Sequence, residues 1–429
     1  MSRAGADRPG ATVTGLGLVT PLGSKPEEFF DALLAGRSGV TRPGGDHPAA
    51  GWLEAAGIAR PIEGREVLPP TETRYVDRFV LLAMAAADGA LADAGIEVGR
   101  DVDPRRVAVV VSTGGGGLET YELAATRRAA TGRPGVSPYL LPGMLANMAA
   151  ARIAIKYGVR GPSAAISTAC AAGAQSIAEA LRLIRAGDAD VVICGGADAP
   201  LHPTIAAAFD NARALAAGWD DPAAASRPFD SRRNGFVLGE GGAVLVVEST
   251  RHADARGAAG YADLIGWGGS TDAYHPTTPR PDGEGATDSM RAALANADVT
   301  AADVDYVNAH GTGTKRGDVA EASALRRVFG DDGPAVSSIK GSTGHLLGAS
   351  GAAEAVATVL SVAHGALPPT LNLDSPDPAC ELNHVRGVAR YQPVRCALSN
   401  SFAFGGHNIS LLFGPAGTGA TRRPEGGNQ

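Results

Sequence analysis

With 429 residues, 44% of them hydrophobic, and a formal charge of −7, the chain is long enough for one large α/β unit and carries no basic run suited to nucleic acid. It has neither an apolar leader after Met1 nor an uninterrupted apolar stretch of about 18 residues, so it reads as a cytoplasmic protein without a membrane span. Its four cysteines, Cys170, Cys194, Cys380 and Cys396, are too widely spaced for a zinc site or a disulfide framework.

Short apolar runs alternate with helical patterns, the mark of α/β architecture with mostly buried strands. Residues 11–18 read as a first strand, 26–34 as a helix, 75–94 as a longer helix, and 107–111 as a strand entering Gly114-Gly115-Gly116-Gly117. That glycine run fits neither a dinucleotide nor a P-loop pattern and is taken as a turn of close backbone approach. Next come a helix over 144–155, a strand over 164–167, a helix over 177–186, a strand over 191–194 that places Cys194 in the core, and an apolar run over 236–247. The second half repeats this grammar, with strands over 261–266, 304–309, 396–399 and 409–413 and helices over 284–297, 320–328 and 353–364. No linker composition separates the halves. The predicted organisation is a flexible start over 1–10, a half over 11–255, a half over 256–414 and a frayed tail over 415–429.

Within this pattern, Ser167-Thr168-Ala169-Cys170-Ala171-Ala172-Gly173 joins an apolar run to an amphipathic helix that places Ile177, Ala180, Leu181 and Ile184 on one face. A thiol at the positive end of a helix is expected to have its pKa lowered below about 8.5, as a cysteine nucleophile requires. A small buried cysteine in core packing is the other reading of this stretch. Two histidines lie in similarly open surroundings: His310 at the end of an apolar run in Asn308-Ala309-His310-Gly311-Thr312-Gly313-Thr314, and His345 in a Gly/Ser-rich loop five residues after Lys340. Neutral imidazoles can donate to a developing oxyanion. No third ligand stands at metal spacing, so no metal site is expected.

Taken together, Thr168-Ala169-Cys170, Pro228-Phe229-Asp230, residues 235–241, the segment around His310, Gly317-Asp318 with Glu321, residues 340–345, Asn400-Ser401-Phe402 and Phe404-Gly405-Gly406 make the chain resemble an elongating β-ketoacyl carrier-protein synthase. The resemblance spans about 11–413 and covers enzymes of dissociated fatty acid and type II polyketide systems. It implies a thiolase-like α/β fold of two similar halves in five layers, αβαβα. It further implies that Cys170 takes an acyl chain from an acyl carrier protein, after which malonyl carrier protein loses carbon dioxide and its enolate attacks the thioester. His310 and His345 would stabilise the enolate, the N–H groups of Cys170 and Phe404 would form the oxyanion hole, and Lys340 would act as an orienting charge paired with Glu354. No cofactor is implied beyond the 4′-phosphopantetheine that the carrier protein brings. The partner subunit would be a second copy or a chain-length-factor-like homologue.

Relatives of other types fit less well. Thiolases carry a second reactive cysteine where this chain has Phe404-Gly405-Gly406-His407-Asn408, initiating ketosynthases resemble a Cys/His/Asn arrangement, and non-condensing chain-length factors lack the active cysteine. The gate and acyl pocket are assigned to Gly115, Phe229, Phe402, Ala403 and Phe404. Gly115 stands where many relatives have a bulky aliphatic residue, Ala403 where glycine is usual, and His407 where threonine is more common. These departures suggest a longer or more rigid acyl chain, a polyketide or polyene intermediate, with homodimeric fatty-acid elongation as the alternative. A basic patch for the acidic carrier protein is assigned to Arg74, Arg78, Arg127, Arg128 and Arg133.

Overall fold

The computed structural model describes residues 9–417. The strands carrying the architecture are β1 (Ala11–Val19), β2 (Val107–Ser112), β3 (Ser163–Ala164), β4 (Val191–Asp198) and β5 (Gly241–Ser249) in the first half. The second half supplies β6 (Ala262–Thr271), β7 (Tyr306–Asn308), β8 (Ala335–Ser337), β9 (Ala397–Ala403) and β10 (His407–Pro415). They form one ten-stranded sheet in the order β8-β7-β9-β10-β6-β1-β5-β4-β2-β3. Followed outward from its centre, β1-β5-β4-β2-β3 and β6-β10-β9-β7-β8 have the same connectivity. In each, the first two pairings are antiparallel and the last two parallel. The two runs meet where Thr12 pairs with Asp263 and Val13 with Ala262.

Helices complete five layers. Helices α1 (Arg78–Ala94) and α3 (Met148–Tyr157) cover the outside of the first half, with α2 (Leu118–Thr131) between them in sequence; α5 (Glu284–Ala297) and α6 (Lys315–Phe329) cover the second. Between the halves lie α4 (Ala172–Ala186) and α7 (Ser350–His364), packed on each other and on strands of both halves. This position explains their composition: α7 is buried on every side from Ser350 to Val362, a stretch built from Ala, Val, Ser, Gly, Thr and one Leu around a single glutamate, Glu354. Strands covered on both faces, such as the fully buried β2 and β4, read as unbroken apolar runs for the same reason.

Several boundaries differ from the sequence reading. The 75–94 helix starts at Arg78 because the Asp77 carboxylate accepts from Phe79 N at 3.2 Å and caps it. The 144–155 helix is two pieces, Leu140–Met144 and Met148–Tyr157. The strand expected over 164–167 is only Ser163–Ala164, which leaves the next residues free to turn toward α4. Pro415 closes β10 and does not begin a tail; residues 1–8 and 418–429 of the expected flexible ends lie outside the described residues. The division read at 255/256 falls where helix Thr250–Ala255 ends, between β5 and β6.

Candidate active site

Cys170 stands in a 3-10 turn, Ala169–Ala171, that leads directly into α4. Ala169 before it has φ of 48°, a left-handed conformation rarely adopted by a side-chain-bearing residue, and Leu347 has φ of 49° in the corresponding turn before α7. Backbone strain of this kind persists only where the surroundings enforce it. Here the enforcement is close packing: a Cβ on Gly173 would lie 2.6 Å from Gly348 O, so the two helix entrances touch through bare backbone. The backbone N–H groups of Phe404 and of Cys170 itself lie near enough to the sulfur to favour its anion.

The electrostatics of the thiol reverse the sequence expectation. Burial, and then the nearby Asp198 carboxylate, push Cys170 up to about 12, outweighing the Lys340 charge and the two N–H groups that pull it down. The resting group is a thiol. Helix-terminus reasoning missed this because it counts the dipole but not the water removed by packing.

His310 and His345 meet in the same cleft, their rings 5.4 Å apart between centroids and nearly perpendicular. Burial and the charge of Lys340 hold both well below the usual histidine range, so both are neutral. Lys340 is 1% exposed; its Nζ donates to His310 O at 2.5 Å, lies 3.3 Å from His310 Nδ1, and pairs with Glu354, also 1% exposed. His345 Nδ1 is 2.9 Å from the Ser350 hydroxyl. The His310 loop is held from behind by two buried carboxylates of the Gly317-Asp318/Glu321 motif, which had been noted without a role. Glu321 accepts from His310 N at 2.8 Å and Gly311 N at 2.7 Å, and Asp318 from Phe229 N at 2.7 Å and Gly313 N at 3.1 Å. Burial raises Glu321 to about 7 and Asp318 to about 6 despite these donors.

Asp198, at the end of β4, is a further residue the sequence did not single out. Its two oxygens accept from Thr113 Oγ1 (2.5 Å), Gly114 N (2.8 Å), Gly115 N (3.2 Å) and Gly348 N (2.6 Å). The glycine run after β2 is thus a close-approach turn that a carboxylate ties to the loop following His345.

These groups open onto a cleft of about 620 Å³ lined by Cys170, His310, His345, Phe402, Ala403 and Phe404 among others. The β9–β10 turn, to which the sequence reading assigns the gate, is pinned to a neighbouring loop where Gly405 N donates to Pro276 O at 2.7 Å and Asp272 N to Gly406 O at 2.9 Å. Two of the residues assigned to the pocket lie off this lining. Phe229 is fully buried with φ of 63°, its ring 5.1 Å from that of His384, and it supports the His310 loop without lining the cleft. Gly115 is exposed and also outside the lining; a Cβ there would meet Leu118 Cδ1 at 3.2 Å.

The arginine patch divides as well. Arg78 is consumed by a two-pronged pair with Glu240, at 2.8 and 2.6 Å, and Glu240 is buried. Arg74 stacks on Tyr75 at 4.6 Å and, with Arg127, borders a different cavity of about 570 Å³; Arg128 and Arg133 lie at the end of α2 and in the turn after it, off the cleft lining. The cleft that holds Cys170 is instead edged by Arg213, Arg280, Lys315 and Arg316. Arg280 pairs with Asp282 and Glu284, whereas Arg213, Lys315 and Arg316 are exposed. Four cations spread over three segments gave no run for a sequence reading to find.

The class of protein is set by the duplicated strand order and the two helices buried between the halves: a thiolase-like acyltransferase. The chain belongs to the β-ketoacyl synthase family, whose N-terminal domain model matches residues 11–253 and whose C-terminal domain model matches 261–374. It is a ketosynthase. It is 42% identical over 406 residues to 3-oxoacyl-[acyl-carrier-protein] synthase 2 of Synechocystis sp., covering 94% of this chain and 97% of the relative. Among solved structures it is similar to a type II polyketide ketosynthase in complex with its acyl-carrier protein, at a TM-score of 0.88 and 30% identity over 96% of this chain and all of the other. The ishigamide ketosynthase/chain length factor gives a TM-score of 0.88 at 34% identity, with the same coverage.

Proposed function

We propose that this ketosynthase performs a decarboxylative Claisen condensation in a type II polyketide pathway. The observation that carries the reading is the convergence of Cys170, His310 and His345 on one cleft edged by cations. The Cys170 sulfur attacks the acyl thioester of a carrier protein, the C–S bond to the phosphopantetheine breaks, and the thiol proton leaves with that departing sulfur. Burial and Asp198 favour the protonated thiol at rest, so its proton has to be given up for the sulfur to attack. The N–H groups of Cys170 and Phe404 receive the oxyanion.

Malonyl carrier protein then loses carbon dioxide while the neutral rings of His310 and His345 donate to its thioester oxygen. The resulting enolate carbon attacks the acyl carbon, its C–S bond to Cys170 breaks, and the released sulfur takes a proton from water. Lys340, held by Glu354, fixes His310 at Nδ1 and the backbone. Arg213, Lys315 and Arg316 meet the acidic carrier protein and its phosphate. The 4′-phosphopantetheine comes with the carrier protein, and no other cofactor is required.

The polyketide assignment is supported by the similarity to ketosynthases described with a hexaketide and with a chain length factor. A heterodimer with a cysteine-less homologue fits the exposed apolar residues Leu118, Tyr121, Leu123, Leu141 and Leu145, which gather in the segment around α2 and offer a face to cover. The second reading, homodimeric fatty-acid elongation, is favoured by the 42% identity to curated 3-oxoacyl-[acyl-carrier-protein] synthase 2 proteins. The test is intact-mass detection of acyl-Cys170, with product analysis, for the purified chain given acyl and malonyl carrier proteins. Acylation and condensation only after a cysteine-less homologue is added support the heterodimer. Full activity of the chain alone overturns it in favour of the homodimer, and absence of acylation under both conditions overturns the condensing role.

A further inference from the structure

His345 and Ser350 form a buried pair, with Nδ1 and Oγ 2.9 Å apart. A neutral imidazole carries one N–H, so whichever member of this pair gives the proton decides what the other ring nitrogen offers the cleft. If Nδ1 donated, the Ser350 hydroxyl would hold a proton with nowhere to place it, because Nδ1 is its hydrogen-bond partner among the described residues. The hydroxyl sits on the first residue of the fifteen-residue α7, and the N–H groups of that first turn are donors themselves. The positive end of the helix also favours a lone pair over an N–H at Nδ1. His310 is fixed in the same sense, since Lys340 Nζ, which has only protons to offer, lies 3.3 Å from its Nδ1.

We propose that Ser350 is a positioning residue for His345: its hydroxyl donates to Nδ1, locks the ring as the Nε2–H tautomer, and so presents a second N–H to the cleft beside that of His310. The need for such a donor rests on the condensing reading above. The tautomer itself does not.

The experiment uses full-length protein labelled with 15N-histidine, the His345 signal being the one absent in His345→Asn. Wild type should show Nε2 protonated and Nδ1 bare, and Ser350→Ala should show a mixture of tautomers. Malonyl carrier-protein decarboxylation by Ser350→Ala should lose about fivefold in kcat, the factor one net hydrogen bond is worth, with KM and the rate of Cys170 acylation unchanged. Ser350→Thr, which keeps the hydroxyl, should restore both signals. An Nδ1–H tautomer in wild type overturns the proposal, as does a Ser350→Ala protein with wild-type tautomer and kcat. Were Ser350→Ala not to fold, the wild-type tautomer alone decides. If His345→Asn left decarboxylation intact, the condensing reading would fail while the tautomer still judged Ser350.

Discussion

The protonation state of Cys170 gives the sharpest test. A free thiol with a pKa near 8.5 is a few per cent thiolate at neutral pH. At about 12 the fraction at pH 7 is on the order of 10⁻⁵, roughly three orders of magnitude lower. Alkylation by iodoacetamide, which needs the thiolate, should therefore accelerate about tenfold for each pH unit from 7 to 9, with no plateau. The rate is read by intact mass, with Cys170→Ser as the blank; Cys194, Cys380 and Cys396 are buried and should not contribute. The sign follows from the causes: burial and Asp198 disfavour the anion, and Lys340 with the N–H groups of Phe404 and Cys170 only partly offset them. A plateau near pH 7 would show a preformed thiolate and refute the reasoning.

Glu354→Gln leaves the Lys340 charge buried without its partner and should lower stability by about 3–5 kcal/mol in urea titration, whereas Lys340→Met combined with Glu354→Leu should lose far less stability but all activity. Charge reversal at Arg213 and Lys315 should raise KM for carrier-bound thioesters and spare small pantetheine analogues; Arg78→Ala should leave both KM values alone and lower the melting temperature, because Glu240 is then buried unpaired. His252 is raised above 6.5 by its hydrogen bond to Glu248. A base with a raised folded pKa contributes stability below its unfolded pKa and loses it as pH rises through the folded one. The melting temperature should accordingly fall above about pH 6.5 in wild type, with that part of the slope absent in His252→Gln.

The alternation of strands and helices was legible because strands covered on both faces carry apolar runs, Val107–Val111 in β2, Val191–Cys194 in β4 and Ala243–Val247 in β5. Cys170, His310 and His345 stood out as reactive groups among small residues at the ends of elements, and the structure brings all three into one cleft. What escaped is long-range. Glu240 cancels Arg78 from 162 residues away, and Asp198 reaches Gly348 across 150 residues. Gly115 is a fixed number of residues from the nucleophile, but that count says nothing about which side of the Asp198 clasp it occupies. The thiol's protonation depends on desolvation, a property of packing that no local pattern reports.

A fold made of two like halves has two equivalent helix entrances, and symmetry alone would give two reaction centres or none. Here the entrances of α4 and α7 are pressed together, with Gly173 against Gly348 and a Cβ on Gly351 only 2.9 Å from Ala174 N. One half delivers a sulfur in the turn at its entrance; the other delivers the His345 imidazole two residues ahead of the matching turn, Leu347–Ala349. The duplication has become a division of labour. Neither half expressed alone can hold the chemistry, and any change that parts the two entrances costs the reaction before it costs either half its shape.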